Sequence, residues 1–390
     1  MKILHVIRGL ANSSGTTHIV NPLSEAQSRL GAEVSVAYVD KPNAAAVEPD
    51  SALVQSRRFP LSVQLNNPGL SAAYARALPE LVAAADVVHV HAIWNFPSWW
   101  AMRCAARART PYMVAPQGSL DPWALRQNRW GKRLYGALTE MPLIRRADCM
   151  QALSKKEEQQ FRQAGISGPV RRIPNGIDAN MFHTGAARGD LARRLDLPEG
   201  SQTLLFLSRV HPKKGLDLLL QAFAVVAERF PERILVVAGN DAGSGYLETM
   251  RALATQLGIA ARCRFLGEVA GETKRDTLMG ADAYALISHS EGLPVASVEA
   301  LGAGLPCVLS HECNLPEVER AKAGWMVAPT VAEASKALDE LFSAPEEASR
   351  RGHNASDLVS QHFTWDRIAE QTLAVYEQMA NGEIRHGRAG

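Results

Sequence analysis

Long apolar runs are missing from this sequence: none approaches the roughly 18 residues that a membrane-spanning helix needs, so no such helix is expected. The opening MKILHVIRGL carries one Lys and a short apolar stretch, which is expected to be a first strand rather than a leader. Cysteine is scarce. Cys104, Cys149, Cys263, Cys307 and Cys313 include no C-x-x-C pair, which argues against a disulfide framework or a zinc site and fits a reducing cytoplasm. Net charge is also small, +2, but it is unevenly spread. Residues 1–175 carry 21 Lys and Arg against 12 Asp and Glu, and the remainder 21 against 28. A basic first half hints at an anionic partner, and no nucleic-acid motif accompanies the charge.

What is present is one pattern, twice. With 390 residues, 46% of them hydrophobic, the chain can bury two cores. Short β-branched runs at ILHVI, VSVAYV, DVVHVH, PYMVA and DCMQAL alternate with helical stretches. Ser154 with Glu157 marks a helix start by the capping-box spacing. From Thr203 the pattern restarts with TLLFLS, RILVVAG, RCRFLG, AYALIS and PCVLS. Alternation at this density predicts two Rossmann-like, doubly wound parallel-sheet domains facing a cleft. Ligands of such sheets bind beyond the carboxyl ends of the strands.

Two stretches sit at such ends. In SEGLPVASVEALGAGLP, Glu291 falls in the loop after AYALIS, Pro294 reads as the first helical residue, and Glu299 lies on the helix. The free amides of that helix start favour an anion, with a carboxylate on either side able to take hydroxyls. An ordinary helix with two solvated carboxylates gives the same spacing. In SRVHPKKGLD, Arg209 and Lys214 could clamp a diphosphate, with Lys213 an equally cationic neighbour.

In combination, these stretches resemble the retaining glycosyltransferases of family 4, which have the GT-B fold, over nearly the whole chain. Glu291 to Glu299 matches the family's E-x7-E, Arg209 and Lys214 its R-x4-K, and IPNGID (Ile173–Asp178) its domain-boundary segment. FTWDRIAEQTLAVYEQM resembles its last helix, which crosses back to the first domain. The resemblance implies that Glu299 binds ribose hydroxyls, that Glu291 binds a sugar hydroxyl, and that Arg209 and Lys214 hold the diphosphate. It also implies that backbone at Gly292, Leu293 and Pro294 approaches the donor, that Val269 lies near the base, and that Gly15 and Thr16 approach the diphosphate. Ser14 precedes Gly15 where the family often has a second glycine, and Gln117 stands where it often has histidine. Gln117 can bond the acceptor but cannot carry a proton.

His89 and His91 share one strand face, and His91, nearer the loop, is expected to be the catalytic residue in the cleft. A packed core role is open for either. Trp94, Phe96, Trp99 and Trp100 are core or a stacking surface for an acceptor. No Asp-x-Asp occurs, so neither metal nor other cofactor is expected. The expected activity is transfer of a hexose, with retention, from a UDP- or GDP-sugar to a glycan acceptor in bacterial polysaccharide biosynthesis. A nucleotide-sugar 2-epimerase and a non-catalytic binding module are the alternatives; donor turnover without an acceptor separates the first, absence of turnover the second. Domains are expected at 1–180, joined by the last helix at about 368–390, and at 181–367. Trp123, Trp130, Leu134 and Leu138 recur among Arg126, Arg129, Lys132 and Arg133, as in a helix lying on an anionic membrane. The expected location is therefore the cytoplasm, with peripheral docking at the inner face of the membrane to reach a lipid-linked glycan.

Overall fold

The computed structural model describes residues 1–11, 15–40, 46–62, 69–120, 139–182 and 186–385. The chain forms two compact units, Met1–Gly176 with Trp365–Gly390, and Ile177–Thr364. Both divisions fall a few residues before the expected ones. Gly176 lies against Trp365, leaving no room for a side chain, and Ile177 N–H donates to the Phe363 carbonyl at 2.8 Å.

In the first unit the chain runs β1 (Lys2–Ile7), α1 (Thr17–Arg29), β2 (Glu33–Val39), β3 (Val54–Phe59), α2 (Ala72–Ala84), β4 (Val87–His91), α3 (Phe96–Ala108) and β5 (Tyr112–Ala115). It continues through α4 (Met141–Ile144), β6 (Cys149–Ala152), α5 (Lys155–Gln163) and β7 (Val170–Arg172). The strands form one sheet in the order β3-β2-β1-β4-β5-β6-β7, parallel throughout. Ile3–Ile7 and Val87–His91 are wholly buried, as expected of central parallel strands covered on both faces. Ser154 accepts the Glu157 N–H, while the Glu157 carboxylate reaches back to the Leu153 N–H at 2.6 Å.

The second unit follows with α6 (Asp190–Arg194), β8 (Gln202–Leu207), α7 (Leu216–Ala227), β9 (Arg233–Ala238), α8 (Tyr246–Gln256), β10 (Cys263–Gly267), α9 (Gly271–Gly280) and β11 (Ala283–Leu286). Then come α10 (Val295–Gly302), β12 (Cys307–Ser310), α11 (Pro316–Arg320), β13 (Gly324–Val327), α12 (Val331–Ser343) and α13 (Pro345–His362). Its strands, also parallel, lie in the order β10-β9-β8-β11-β12-β13. The last helix, α14 (Trp365–Ala380), returns to the first unit. There Trp365, Ile368, Ala369, Thr372, Val375, Tyr376 and Met379 form its buried stripe.

Two strands were not legible. β3 reads VQSRRF, with charges that an edge strand tolerates, and β13 is four residues at the other sheet's edge. Pro294 is the N-cap of α10, not its first helical residue, because its ψ of 96° is extended. The basic stretch around Trp123 and Trp130 lies outside the described residues. Among the described residues, no helix is long and apolar enough to cross a membrane.

Candidate active site

Beyond β8, the chain turns through Arg209 and a short 3-10 turn, Pro212–Lys214, started by His211 Nδ1 accepting the Lys213 N–H at 3.1 Å. Gly215 closes the turn at φ 64°, and a Cβ there would stand 1.9 Å from the Ile287 carbonyl oxygen. Only glycine lets this loop press onto the end of β11. The Lys213 carbonyl then accepts the His289 N–H at 2.9 Å, so the two loops are tied by backbone.

This tie brings the two motifs together. Lys214 Nζ donates to both Glu291 oxygens, at 2.7 and 2.8 Å, with side chains only 13% and 8% exposed. Ser288 Oγ donates to Glu291 Oε1 at 2.7 Å, and Asn314 Nδ2 to the Glu291 carbonyl at 2.7 Å. A carboxylate so held still has lone pairs for a hydroxyl. Arg209 is exposed and has no side-chain partner among the described residues.

Glu299, on α10, is buried and receives Lys274 Nζ from α9 at 2.7 Å on Oε1. Its Oε2 lies 2.6 Å from the same ammonium yet has no hydrogen bond of its own. Burial raises this carboxyl above its usual range, and the Lys274 charge pulls it partly back. At the start of α10, Ser297 and Val298 N–H fold back on the Pro294 carbonyl. Pro294 itself has no N–H to offer, so it places the helix start without donating. Gly292 is exposed with open space where a Cβ would stand. Leu293 and Val269, the latter between β10 and α9, rest half-buried on the unit's core. All these groups lie beyond the carboxyl ends of β8, β10, β11 and β12.

In the first unit His5 on β1 pairs in register with His89 on β4. Thr372 Oγ1 donates to the Ala369 carbonyl, so it accepts from Gln27 Nε2 at 2.8 Å. Gln27 Oε1 therefore accepts from His5 Nε2–H at 2.7 Å, and His5 Nδ1 from His91 Nε2–H at 2.9 Å. That order leaves His91 Nδ1 a lone pair, buried and without a partner. His89 Nδ1 meets Tyr376 Oη at 2.6 Å. Burial lowers His5 to about 4 and holds His89 and His91 well below the usual value, so all three are neutral at pH 7. His91, expected as the catalytic residue in the cleft, is 0% exposed, as is His89. Among the described residues, these three histidines are the group whose possible ligand atoms converge, within 4.8 Å. A metal would have to break the hydrogen bonds that occupy both nitrogens of His5.

Gln117 follows β5 with φ 54°. Its Oε1 accepts from Asn175 Nδ2 at 3.3 Å, its Nε2 is buried without a partner, and the next N–H, of Gly118, is held by Glu157 at 2.8 Å. Glu140 is fully buried, accepts the Trp94 N–H at 2.7 Å, and is pushed up to about 7 by that burial. Gly15 is exposed, and Thr16 caps α1 through its carbonyl. Trp94, Phe96 and Trp100 pack partly on the core, with the Trp94 and Trp100 indoles donating to Ser119 and Ala75 carbonyls.

Comparison with known proteins decides the lineage. Residues 188–357 match the family described as Glycosyl transferases group 1, and residues 14–176 the Glycosyl transferase 4-like domain. The chain is 28% identical over 303 residues to D-inositol 3-phosphate glycosyltransferase of Actinosynnema mirum, covering 75% of this chain and 72% of that protein. It is 30% identical over 233 residues to a Mycobacterium tuberculosis GDP-mannose-dependent alpha-(1-6)-phosphatidylinositol monomannoside mannosyltransferase, covering 57% of this chain and 60% of that one. Anabaena HepE, solved with UDP, shares the fold at a TM-score of 0.75 and 20% identity, over 97% of this chain and 100% of that one. The chain belongs to the GT-B glycosyltransferases of family 4.

In this glycosyltransferase, Lys214 and Glu291 are joined directly, while Glu299 has a separate partner. That partner, Lys274, escaped the sequence reading because GETKRD looks like any solvated helix start. Ser288, Asn314, Asn175 and Glu140 escaped it as well. Each acts through a contact between residues far apart in the sequence, except Ser288, which lies three residues before Glu291.

Proposed function

We propose that this glycosyltransferase moves a hexose from a UDP- or GDP-sugar to a glycan hydroxyl with retention and without a metal ion. The observation that carries the reading is the pair Lys214–Glu291, set at the end of β11 beside the free amides of α10 and the exposed cation Arg209. Arg209 and Lys214 hold the diphosphate, Glu291 a sugar hydroxyl and Glu299 the ribose, with Gly292, Leu293, Pro294 and Val269 shaping the site. Gly15 and Thr16 serve the diphosphate, and Gln117 belongs to the acceptor side.

Transfer is front-face. The acceptor oxygen bonds to the anomeric carbon as the carbon–phosphate oxygen bond breaks, and the acceptor proton passes to the departing phosphate. The bonds of Lys214 and Ser288 to the Glu291 carboxylate support a hydroxyl-binding role for it over attack on carbon. A diphosphate met by two cations and helix amides needs no divalent ion. The acceptor is a glycan, lipid-linked, in polysaccharide assembly, reached by docking of the basic first half on the inner face of the membrane; the Mycobacterium tuberculosis relative, named for a mannosylated phosphatidylinositol acceptor, supports a lipid-linked one. Sedimentation with anionic vesicles checks the docking: binding that fades with salt supports it, and equal recovery with and without vesicles contradicts it.

A donor screen tests the whole reading. Nucleoside diphosphate release should depend on acceptor and fall sharply in Lys214→Ala and Glu291→Ala. Turnover of donor without acceptor to an epimerised sugar would favour an epimerase instead.

A further inference from the structure

At the opposite edge of the second sheet, where strands begin, there is a cavity of about 470 Å³. Gln202 opens β8, Arg233 opens β9 and Asp282 precedes β11, so its floor is the amino end of three parallel strands. Its wall is one face of α13, with Ser349, His353 and Ser356 on successive turns. The size suits a small metabolite.

Its lining carries two guanidiniums, Arg188 and Arg233, and one carboxylate, Asp282. Arg233 Nε pairs with Glu232 at 3.2 Å, and its guanidinium lies 4.5 Å from the Phe342 ring centre. Arg188 is fixed by three carbonyls, those of Ala281, Ala303 and Gly304, at 2.9, 3.0 and 2.9 Å. Asp282, the one carboxylate of the lining, turns its Oδ2 to the Thr203 N–H and hydroxyl at 2.7 and 3.0 Å. Burial lowers both guanidiniums below their usual value, more than Asp282 and Glu232 restore. The side chains of Gln202, Ser349 and Ser356 make no hydrogen bond to any described residue. His353 Nδ1 meets the Ser349 carbonyl at 2.8 Å, so it carries the proton and Nε2 remains an acceptor.

We propose that this cavity is a second ligand site, separate from the donor loops, which takes a small phosphorylated polyol or sugar. The phosphate lies against Arg188 and Arg233, and the hydroxyls meet Gln202, Ser349, His353 and Ser356. The proposal does not rest on the glycosyl-transfer reading, because none of these residues belongs to the donor site.

Thermal unfolding of the full chain with inorganic phosphate, glucose 6-phosphate or glucose tests it. Phosphate should raise the unfolding midpoint, glucose 6-phosphate should raise it further, and glucose alone should not. His353→Glu, an exposed position, and Ser356→Trp should each abolish the shift, while Arg209→Ala, which removes a donor-loop cation, should keep it. Circular dichroism of the ligand-free variants separates loss of the site from loss of the fold. A shift lost in Arg209→Ala but kept in both cavity variants would place the anion on the donor loops and overturn the proposal. So would a shift equal in all proteins, or none in the unaltered chain.

Discussion

Lys214 and Glu291 are each other's partner, 2.7 Å apart and mostly buried, so neither acts alone. Removing either leaves the other a poorly hydrated charge. Lys214→Ala and Glu291→Ala should each lower kcat/KM by about 10²–10³, the range for losing one preorganised charge partner. The double variant should lose much less than the product of the two, and steady-state kinetics on all four proteins checks this coupling. The histidines give a second residue-scale prediction. Their folded pKa values lie below the unfolded one, His5 at about 4, so the unfolded chain binds more protons as pH falls. Their contribution is whole above the unfolded pKa and is lost as pH drops toward 4, by up to about 1.4 kcal/mol per pH unit for each histidine. Glu140, raised to about 7, works the other way: its buried neutral form loses ground as pH rises from the unfolded carboxyl value toward 7. Urea unfolding should show a less stable first unit at about pH 5 than at about pH 7. Glu140→Gln should steepen that acid loss, because the opposing slope disappears.

Gly215 decides an element rather than a side chain. The turn Pro212–Lys214 meets the end of β11 only because no Cβ stands between them. Gly215→Ala should cost the second unit roughly 1–3 kcal/mol, from strain at positive φ plus the clash, and weaken donor binding by displacing Lys214. Calorimetry and donor KM measure the two effects. At this scale the sequence was informative where periodicity was strong. The buried runs of β1, β4, β8 and β9 and the stripe of α14 were legible, because a parallel strand sealed on both faces leaves a continuous apolar signature. The edge strands β3 and β13 were not, since an edge tolerates charge and brevity. In the candidate site, Glu291, Glu299, Arg209 and Lys214 were singled out by their resemblance to E-x7-E and R-x4-K, and the fold joins Lys214 to Glu291. Lys274 could not be, because its meeting with Glu299 depends on how α9 and α10 pack, not on a local pattern. The burial of His91 was hidden for the same reason: alternation gave its strand face, while the cover over that face comes from α1 and from α14, nearly three hundred residues away.

For the molecule as a whole, the chemistry assigned to cations and amides implies that turnover survives EDTA. Abolition by the chelator, with rescue by Mn²⁺ or Mg²⁺, would contradict the metal-free reading. The central claim is retaining transfer from a nucleotide sugar, with Glu291 binding a hydroxyl rather than attacking carbon. Proton NMR of the glycoside formed by the purified protein from UDP- and GDP-α-hexose donors tests it most directly. The account predicts an α-linked product, with the donor's anomeric configuration kept; a β-linked product would contradict it.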